Sequence, residues 1–249
     1  MGPFRSNIHL FGVEDGGTIF LLGTDKLGRD LLSRIMHGGS ISLLVALSAA
    51  LISVMVGSTL GGMSGFLGGK TDMVLQSAVE VVQSIPALPL FMALSAAIPT
   101  QWPSEWTLAA VTLVFASQGW TWLAREVRGK VLYLREQDFV VAARAVGAGD
   151  GHILLRHVLP NAISHIIVVA TISIPDLILA ESALGFLGLG VQPPLVSWGV
   201  LLRDASNLHS IGRYPWLLVP GLVVLVTVLA FNFLGDGLRD AADPYSDKR

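Results

Sequence analysis

The chain has 249 residues, of which 52% are hydrophobic and 14% are charged, and its mean hydropathy is +0.65. Soluble domains contain about 25% charged residues, so this much apolar surface predicts a protein that lies in lipid. A formal net charge of −2, without a polybasic tract, argues against nucleic acid as a partner. The absence of cysteine excludes a disulfide framework, a thiolate metal site and a thiol nucleophile.

Five stretches have the length and composition of membrane-spanning helices, which need about 20 mostly apolar residues. They are Ile41–Leu60, Met73–Ile98, Trp106–Leu123, Ala162–Leu187 and Trp216–Leu234. The first and the last contain no charged residue, and the third is the shortest. The sequence therefore predicts an all-α polytopic membrane protein with five spans.

Basic residues predict the orientation, because they are enriched in cytoplasmic connections. The segment 125–160 contains six of them, whereas the connection 99–105 on the other side contains none. We therefore expect the segment 125–160 and the C-terminal tail, residues 238–249, to be cytoplasmic. Residues 1–39 would then be an extracytoplasmic lead-in before a transmembrane domain over residues 40–237.

Three carboxylates lie within the predicted spans, at Glu80, Asp176 and Glu181. Ionisable residues at membrane depth are candidates for a substrate pathway. For Glu181, which lies close to the outer border, we favour a structural role, either as a charge near a helix end or in a hydrogen bond between helices. Asp176 follows Pro175, which interrupts backbone hydrogen bonding at that depth. Glu80 and Asp176 are therefore the candidate pathway-lining residues.

A glycine-rich run from Gly65 to Thr71 looks like a phosphate-binding loop. That motif needs a glycine where Ser64 stands, and it follows a strand and opens a helix. Here it closes a membrane helix, so we expect a tight cytoplasmic turn anchored by Lys70. The chain is therefore expected to bind no ATP by itself.

The same region contains the motif GxSG around Ser64, as in rhomboid-type intramembrane serine proteases. Such an enzyme needs a histidine to take the serine proton, and His165 is the only histidine in a predicted span. Three glycines recur here every four residues: Gly57, Gly61 and Gly65. We prefer a close helix-packing face and keep the protease as an alternative that requires Ser64 to be essential.

The segment Asp138–Gly147 predicts a short helix that Asp138 caps and Gly147 ends. Three of its residues share one face at helical spacing: Phe139, Ala143 and Val146. A second short helix is expected from Asp150 to His157, stopped by Pro160. Such a pair is either an interfacial membrane element or a docking site for a soluble partner.

This loop resembles the cytoplasmic signature of the permease subunits of bacterial binding-protein-dependent ABC importers, Glu-Ala-Ala-x-x-x-Gly followed by Leu-Pro. Five residues match it: Ala142, Ala143, Gly147, Leu159 and Pro160. Val141 replaces the signature glutamate, so the polar contact of that glutamate is not expected here.

Further stretches resemble the C-type subunit of dipeptide and oligopeptide permeases. They are Leu22–Asp30 with Ser33 and Arg34, Arg156–Asn161, Glu181–Gly190, Pro193–Trp198 and Asn232–Pro244. The resemblance implies the type I ABC importer transmembrane fold. Members of that family have six spans, of which the first precedes an outer segment, and we expect the five spans predicted here to correspond to the second to sixth.

The resemblance also implies a non-catalytic subunit in the bacterial cytoplasmic (inner) membrane that imports di- or oligopeptides by alternating access. Its partners would be a second permease subunit, one or two ATPase subunits that bind ATP and Mg, and an extracytoplasmic substrate-binding protein. The implied ATPase-coupling residues are Ala142, Ala143, Arg144, Gly147, Leu159 and Pro160. The same machinery importing a nickel chelate stays open, as does a self-sufficient secondary transporter, which would have no ATPase gene beside it.

The lead-in generates the first prediction, because it contains Arg5, Lys26, Arg29 and Arg34 without a preceding export signal. We expect the encoding DNA to contain a sixth hydrophobic segment just upstream of Met1. Sequencing that region tests the expectation. An upstream stop codon together with a good initiation site at Met1 would contradict it.

Overall fold

Long helices dominate the computed structural model, which describes residues 20–99, 101–206, 212 and 214–242. In chain order they are α1 (Leu31–Leu67), α2 (Gly69–Gln83), α3 (Ala87–Ala96), α4 (Ser104–Leu134), α5 (Asp138–Ala145), α6 (Asp150–Ile153), α7 (Leu159–Phe186), α8 (Trp198–Asp204) and α9 (Val219–Ala242). The first 19 residues of the predicted lead-in and residues 243–249 of the predicted tail lie outside the described residues.

Three helical stretches in the described part of the chain are long and apolar enough to cross a membrane: Leu31–Leu67, Asp150–Phe186 and Pro215–Ala242. The pair α2 and α3 also qualifies if it is taken as one span, bent by 77°. α4, which contains the predicted third span, has 31 residues. It does not reach the same hydropathy, because Ser, Thr and Gln residues interrupt its first half and charged residues its second.

Several helices extend beyond the apolar stretches that predicted them. α1 begins at Leu31, where the Asp30 carboxylate accepts hydrogen bonds from backbone N–H groups of the first turn. α4 runs on to Leu134, inside the predicted cytoplasmic loop, and α9 runs on to Ala242, inside the predicted tail. Hydropathy marks where a helix is expected to leave lipid, whereas backbone hydrogen bonding continues until a cap or a break ends it.

α1 and α4 approach each other through the predicted glycine face. A Cβ atom built on Gly61 would lie 2.3 Å from the carbonyl oxygen of Ala124, and real Cβ atoms essentially never come within 3.0 Å of another heavy atom. A Cβ atom built on either of the other two glycines would lie 2.8 Å from a carbonyl oxygen of α4. The oxygen belongs to Trp120 for Gly57 and to Arg128 for Gly65. Small residues allow this backbone-to-backbone contact. The predicted packing face is confirmed.

Buried apolar side chains form two clusters on this α1–α4 pair. One cluster joins α1 and α4 to α3, α7, α8 and α9, and it includes Leu31, Phe115 and Trp198. The other joins the end of α1 and the second half of α4 to α5, α6 and the beginning of α7. Each cluster lies beside one of the two candidate functional regions described below.

Glu181 is completely buried between α1, α7 and α8. Its Oε2 atom accepts a hydrogen bond from the Ser42 hydroxyl at 2.7 Å, and that hydroxyl accepts from the backbone N–H of Trp198 at 3.0 Å. The Trp198 indole donates to the carbonyl oxygen of Ile35 at 3.1 Å. Of the two structural roles expected for Glu181, the hydrogen bond between helices is therefore the arrangement found.

Asp25 organises the described part of the lead-in. Its carboxylate accepts hydrogen bonds from Arg29 Nε and Arg34 Nη1, both at 2.6 Å, and from the Leu27 N–H at 2.8 Å. Burial raises the pKa of Asp25, but the hydrogen bonds from Arg29 and Leu27 outweigh it and hold the pKa below its usual range. Arg34 also lies 3.2 Å from Asp204, so this ion cluster fixes the lead-in to α1 and α8.

The glycine face gives a stability prediction. Gly61→Ala places a methyl group against the Ala124 carbonyl, and overpacking of this kind destabilises by about 1–3 kcal/mol. We expect a lower melting temperature for the full chain purified with its partner subunits. Gly129→Ala is the matched control, because a Cβ there meets no atom within 4 Å and alanine favours a helix. Equal melting of the two variants would contradict the packing argument.

Candidate functional site

α5 ends at Ala145, and the turn that follows contains Gly147, which has a φ of +84°. The Gly147 N–H donates to the carbonyl oxygen of Arg144 at 2.9 Å, and the Ala148 N–H donates to that of Ala143 at 3.1 Å. These two bonds form a Schellman motif, which needs a left-handed residue and therefore favours glycine. The prediction that Gly147 ends this helix is confirmed.

The predicted helix caps were wrong by one residue. The N-cap positions are Gln137 and Gly149, neither of which makes a side-chain capping bond. Asp138 and Asp150 are instead the first residues of α5 and α6. A carboxylate in the first helical turn still interacts favourably with the positive end of the helix dipole.

The prediction that Pro160 stops the second helix is wrong. α6 continues through a π-helical turn, Leu154–Val158, into α7, where the Leu159 N–H donates to the carbonyl oxygen of Leu154. Pro160 lacks the N–H that would continue the backbone hydrogen bonding, and the π-helical turn that departs from α-helical pairing lies directly before α7. Leu159 and Pro160 therefore join the loop to α7 without a flexible break.

α5 has a buried residue that the sequence did not single out. Val140 is completely buried in the second cluster. Ala143 and Leu159 are partly buried and pack against that cluster. The other predicted coupling residues are exposed: Ala142, Arg144, Gly147 and Pro160. Three apolar side chains beside them are also exposed, Val141 at 59%, Leu155 at 66% and Val146 at 84%. The loop therefore presents an apolar surface of small and branched side chains.

Arginine side chains hold the loop against the end of α1. The Arg144 guanidinium lies 5.5 Å from the centre of the Phe66 ring and 3.8 Å from the Asp150 carboxylate. Arg135 donates to the carbonyl oxygen of Gly65 at 3.0 Å. These contacts are short enough that a displacement of α5 must also act on α1.

Ser64 lies in a structural network near the same end of α1. Its side chain is buried, and its hydroxyl donates to the Asp72 carboxylate. Arg128 binds that carboxylate through two hydrogen bonds of 2.6 and 2.7 Å. His165, which a serine protease would need beside Ser64, lies 4.0 Å from Glu126 instead. The structure therefore explains Ser64 as part of an ion-pair network that joins α1, α2 and α4.

The predicted second span, Met73–Ile98, is broken. α2 and α3 are separated by a bend between residues 83 and 87, where Pro86 is the N-cap of α3. Gln118 of α4 donates from Nε2 to the carbonyl oxygen of Ile85 at 2.8 Å and to that of Val82 at 3.3 Å. Breaks at membrane depth are tolerated where such partners exist and where the backbone lines a cavity.

A cavity of about 560 Å³ opens beside this bend, and we refer to it as the cleft. α2, α3, α4 and α7 contribute to its walls. Its polar and aromatic lining residues are Gln83, Gln118, Thr121, Asp176, Phe91, Phe115 and Trp122. Asp176 is the only charged residue among the described residues that line it, whereas Glu80, the other pathway candidate, is exposed on α2 and does not line it.

The Asp176 carboxylate is exposed in the cleft, directly after Pro175 within α7. In the described part of the chain, no side chain makes an ion pair or a hydrogen bond with it. Asp25, Asp72, Glu126 and Glu181 each make a polar side-chain contact, whereas exposed carboxylates such as Glu80 and Glu105 make none among the described residues. Asp176 differs from Glu80 and Glu105 in lining the cleft, where it is available to a group from outside the chain.

Comparison with known proteins agrees with this architecture. Residues 57–247 match the family model described as binding-protein-dependent transport system inner membrane component. The oligopeptide transport system permease protein OppC of Haemophilus influenzae is 43% identical over 223 residues, which are 89% of this chain and 69% of that protein. The dipeptide transport system permease protein DppC of Lactococcus lactis is 40% identical over 226 residues, 90% of this chain and 64% of that one.

A solved structure shows the same fold at lower identity. A chain of the inward-facing MetNI methionine ABC transporter superposes with a TM-score of 0.66 at 19% identity, over 86% of this chain and 98% of that chain. This likeness establishes the arrangement of helices, while the sequence matches establish the family. The chain belongs to the family of inner membrane components of binding-protein-dependent transport systems.

Proposed function

We propose that the chain is a transmembrane subunit of an ATP-driven importer, that it forms half of a pathway for di- or oligopeptides, and that it couples this pathway to ATPase subunits. The observation that carries the proposal is the 43% identity to the oligopeptide permease protein across 89% of the chain. The fold of an ABC transporter chain supports it independently.

The proposed partners follow from the family. A second permease subunit would complete the pathway, one or two ATPase subunits would bind ATP and Mg, and an extracytoplasmic binding protein would deliver the peptide. The chain would cross the membrane five times, with α4 as a span whose polar residues face other helices. The basic residues of the segment 125–160 favour a cytoplasmic position for that segment and for the C-terminus.

The exposed surface of α5 is the proposed contact with an ATPase subunit. Ala142 is exposed and small enough for close packing, Ala143 is partly buried against the second cluster, and the Gly147 turn fixes the end of the helix. Val141 stands where the family signature has glutamate, and it is apolar and 59% exposed. We therefore expect this contact to depend on apolar packing rather than on a charge.

The geometry of the loop explains how such a contact could move the membrane helices. Leu159 and Pro160 continue directly into α7, and Arg144 packs on Phe66 at the end of α1. Closure of the ATPase subunits on α5 would therefore act directly on α7 and tilt it against the neighbouring α1. Of the two pathway candidates, the cleft supports Asp176, while nothing in the described cavity walls supports Glu80.

The Gly147 turn gives a test with a matched pair of variants. Asn and Asp have similar shapes and both adopt a left-handed conformation more readily than other non-glycine residues, and a Cβ at position 147 meets no atom within 4 Å. We expect Gly147→Asp to abolish ATP-dependent peptide uptake and to weaken co-purification of the ATPase subunits. Gly147→Asn should keep most of both, because it introduces no charge.

Uptake is measured in proteoliposomes that contain the complete importer, after equal amounts of folded chain are confirmed by gel filtration. Normal uptake by Gly147→Asp would count against the docking role of this loop. Equal loss in both variants would locate the defect in the backbone turn and not in a contact with the ATPase.

A further inference from the structure

The cleft contains a carboxylate in surroundings that do not stabilise it. Its walls are mainly apolar, and no Lys, Arg or His side chain among the described residues forms an ion pair with Asp176. An ionised side chain at membrane depth is unfavourable unless it pairs with a cation or faces water. Asp176 is exposed in the cleft, so water can solvate it, and a positively charged solute that enters the cleft would find a counter-ion there.

The neutral polar groups of the cleft are already engaged in holding its walls together. Gln118 donates to two backbone carbonyls at the α2–α3 bend. Gln83 accepts from Arg125 at 2.6 Å and donates to the Thr121 hydroxyl at 3.2 Å, and that hydroxyl donates to the carbonyl oxygen of Gln118 at 2.7 Å. Asp176 is consequently the polar side chain of the cleft that remains free to bind a solute.

The exposed aromatic ring of the cleft fits an organic cation better than a metal ion. That ring is Trp122, which is 41% exposed, whereas Phe91 and Phe115 pack edge to face with each other and are only 6% and 0% exposed. Aromatic rings attract ammonium groups and bury apolar carbon. A volume of about 560 Å³ also lies within the range of sites that hold small organic molecules, roughly 300–1,000 Å³.

We propose that the cleft binds the α-ammonium group of the peptide in transit, with Asp176 as its counter-ion and the exposed Trp122 ring beside its first side chain. The inference rests on the proposed function, since it takes a peptide as the solute. An α-ammonium group is shared by all linear peptides with a free amino terminus. A site that reads this group would accept many sequences and would still distinguish peptides from neutral solutes.

The direct test is photolabelling of the assembled permease–ATPase complex in lipid nanodiscs, without the binding protein, so that the specificity of that protein does not contribute. The probe is the dipeptide alanyl-p-benzoylphenylalanine, compared with its N-acetylated form. We expect the free-amine form to label peptides that contain residues of the cleft at about tenfold lower concentration than the acetylated form. That ratio corresponds to a hydrogen bond to a charged group.

Substitutions at position 176 assign the difference to the carboxylate. Asp176→Asn should reduce the tenfold ratio to near one, and Asp176→Glu should keep a clear preference for the free amine. Glu105→Gln is the matched carboxylate-to-amide control, because Glu105 is exposed in the first turn of α4 and does not line the cleft. All variants are compared at equal yield of the assembled complex.

Any of three results would overturn the inference. The first is equal labelling of the native complex by both probes, and the second is an unchanged preference for the free amine in Asp176→Asn. Loss of complex assembly in Asp176→Asn with normal assembly in Asp176→Glu would also overturn it, since Asp176 would then pair with the second permease subunit. ATP-dependent dipeptide uptake by the native importer is measured separately, and its absence would count against the proposed function instead.

Discussion

The direct backbone contact between α1 and α4 is the constraint on which the rest of the structure depends. Gly61 lies so close to the Ala124 carbonyl that even a methyl group would clash. α4 is thereby fixed along α1, and α4 supplies side chains to both candidate functional regions. Gln118 supports the bend beside the cleft, and Arg135 holds the loop end of α1. The two regions are therefore built on one rigid pair of helices.

Carboxylates in this apolar chain separate into two kinds. Asp25, Asp72 and Glu181 each accept hydrogen bonds from side chains of other segments, and each joins elements that would otherwise be held by apolar packing alone. Such groups are explained by the fold, since a buried polar group is retained when it is hydrogen-bonded. Asp176 has no such partner among the described residues and, unlike Glu80 and Glu105, which also lack one, it lines the cleft, so stability does not explain its position there.

The sequence predicted features with local causes and missed those with tertiary causes. The glycine repeat and the Gly147 turn follow from residue size and backbone conformation, and both are confirmed. The bend in the second span depends on Gln118, which lies on another helix, so hydropathy merged α2 and α3 into one span. A proline is a clear sequence signal for the end of a helix, whereas a π-helical turn has no comparably clear signal. The sequence therefore predicts a stop at Pro160 where the helix in fact continues.

One helix connects the loop to the cleft. α7 begins at Leu159, next to the proposed ATPase contact, and Asp176 lies about 25 Å further along it at 1.5 Å per residue. Tilting of this helix at the loop would therefore move the carboxylate relative to α4, which supplies Trp122 and Thr121 to the opposite wall. A bound solute can bias the two states of a transporter only through different affinities for them. A single charged contact on the moving helix would supply such a difference, because its distance from the fixed wall changes with the tilt.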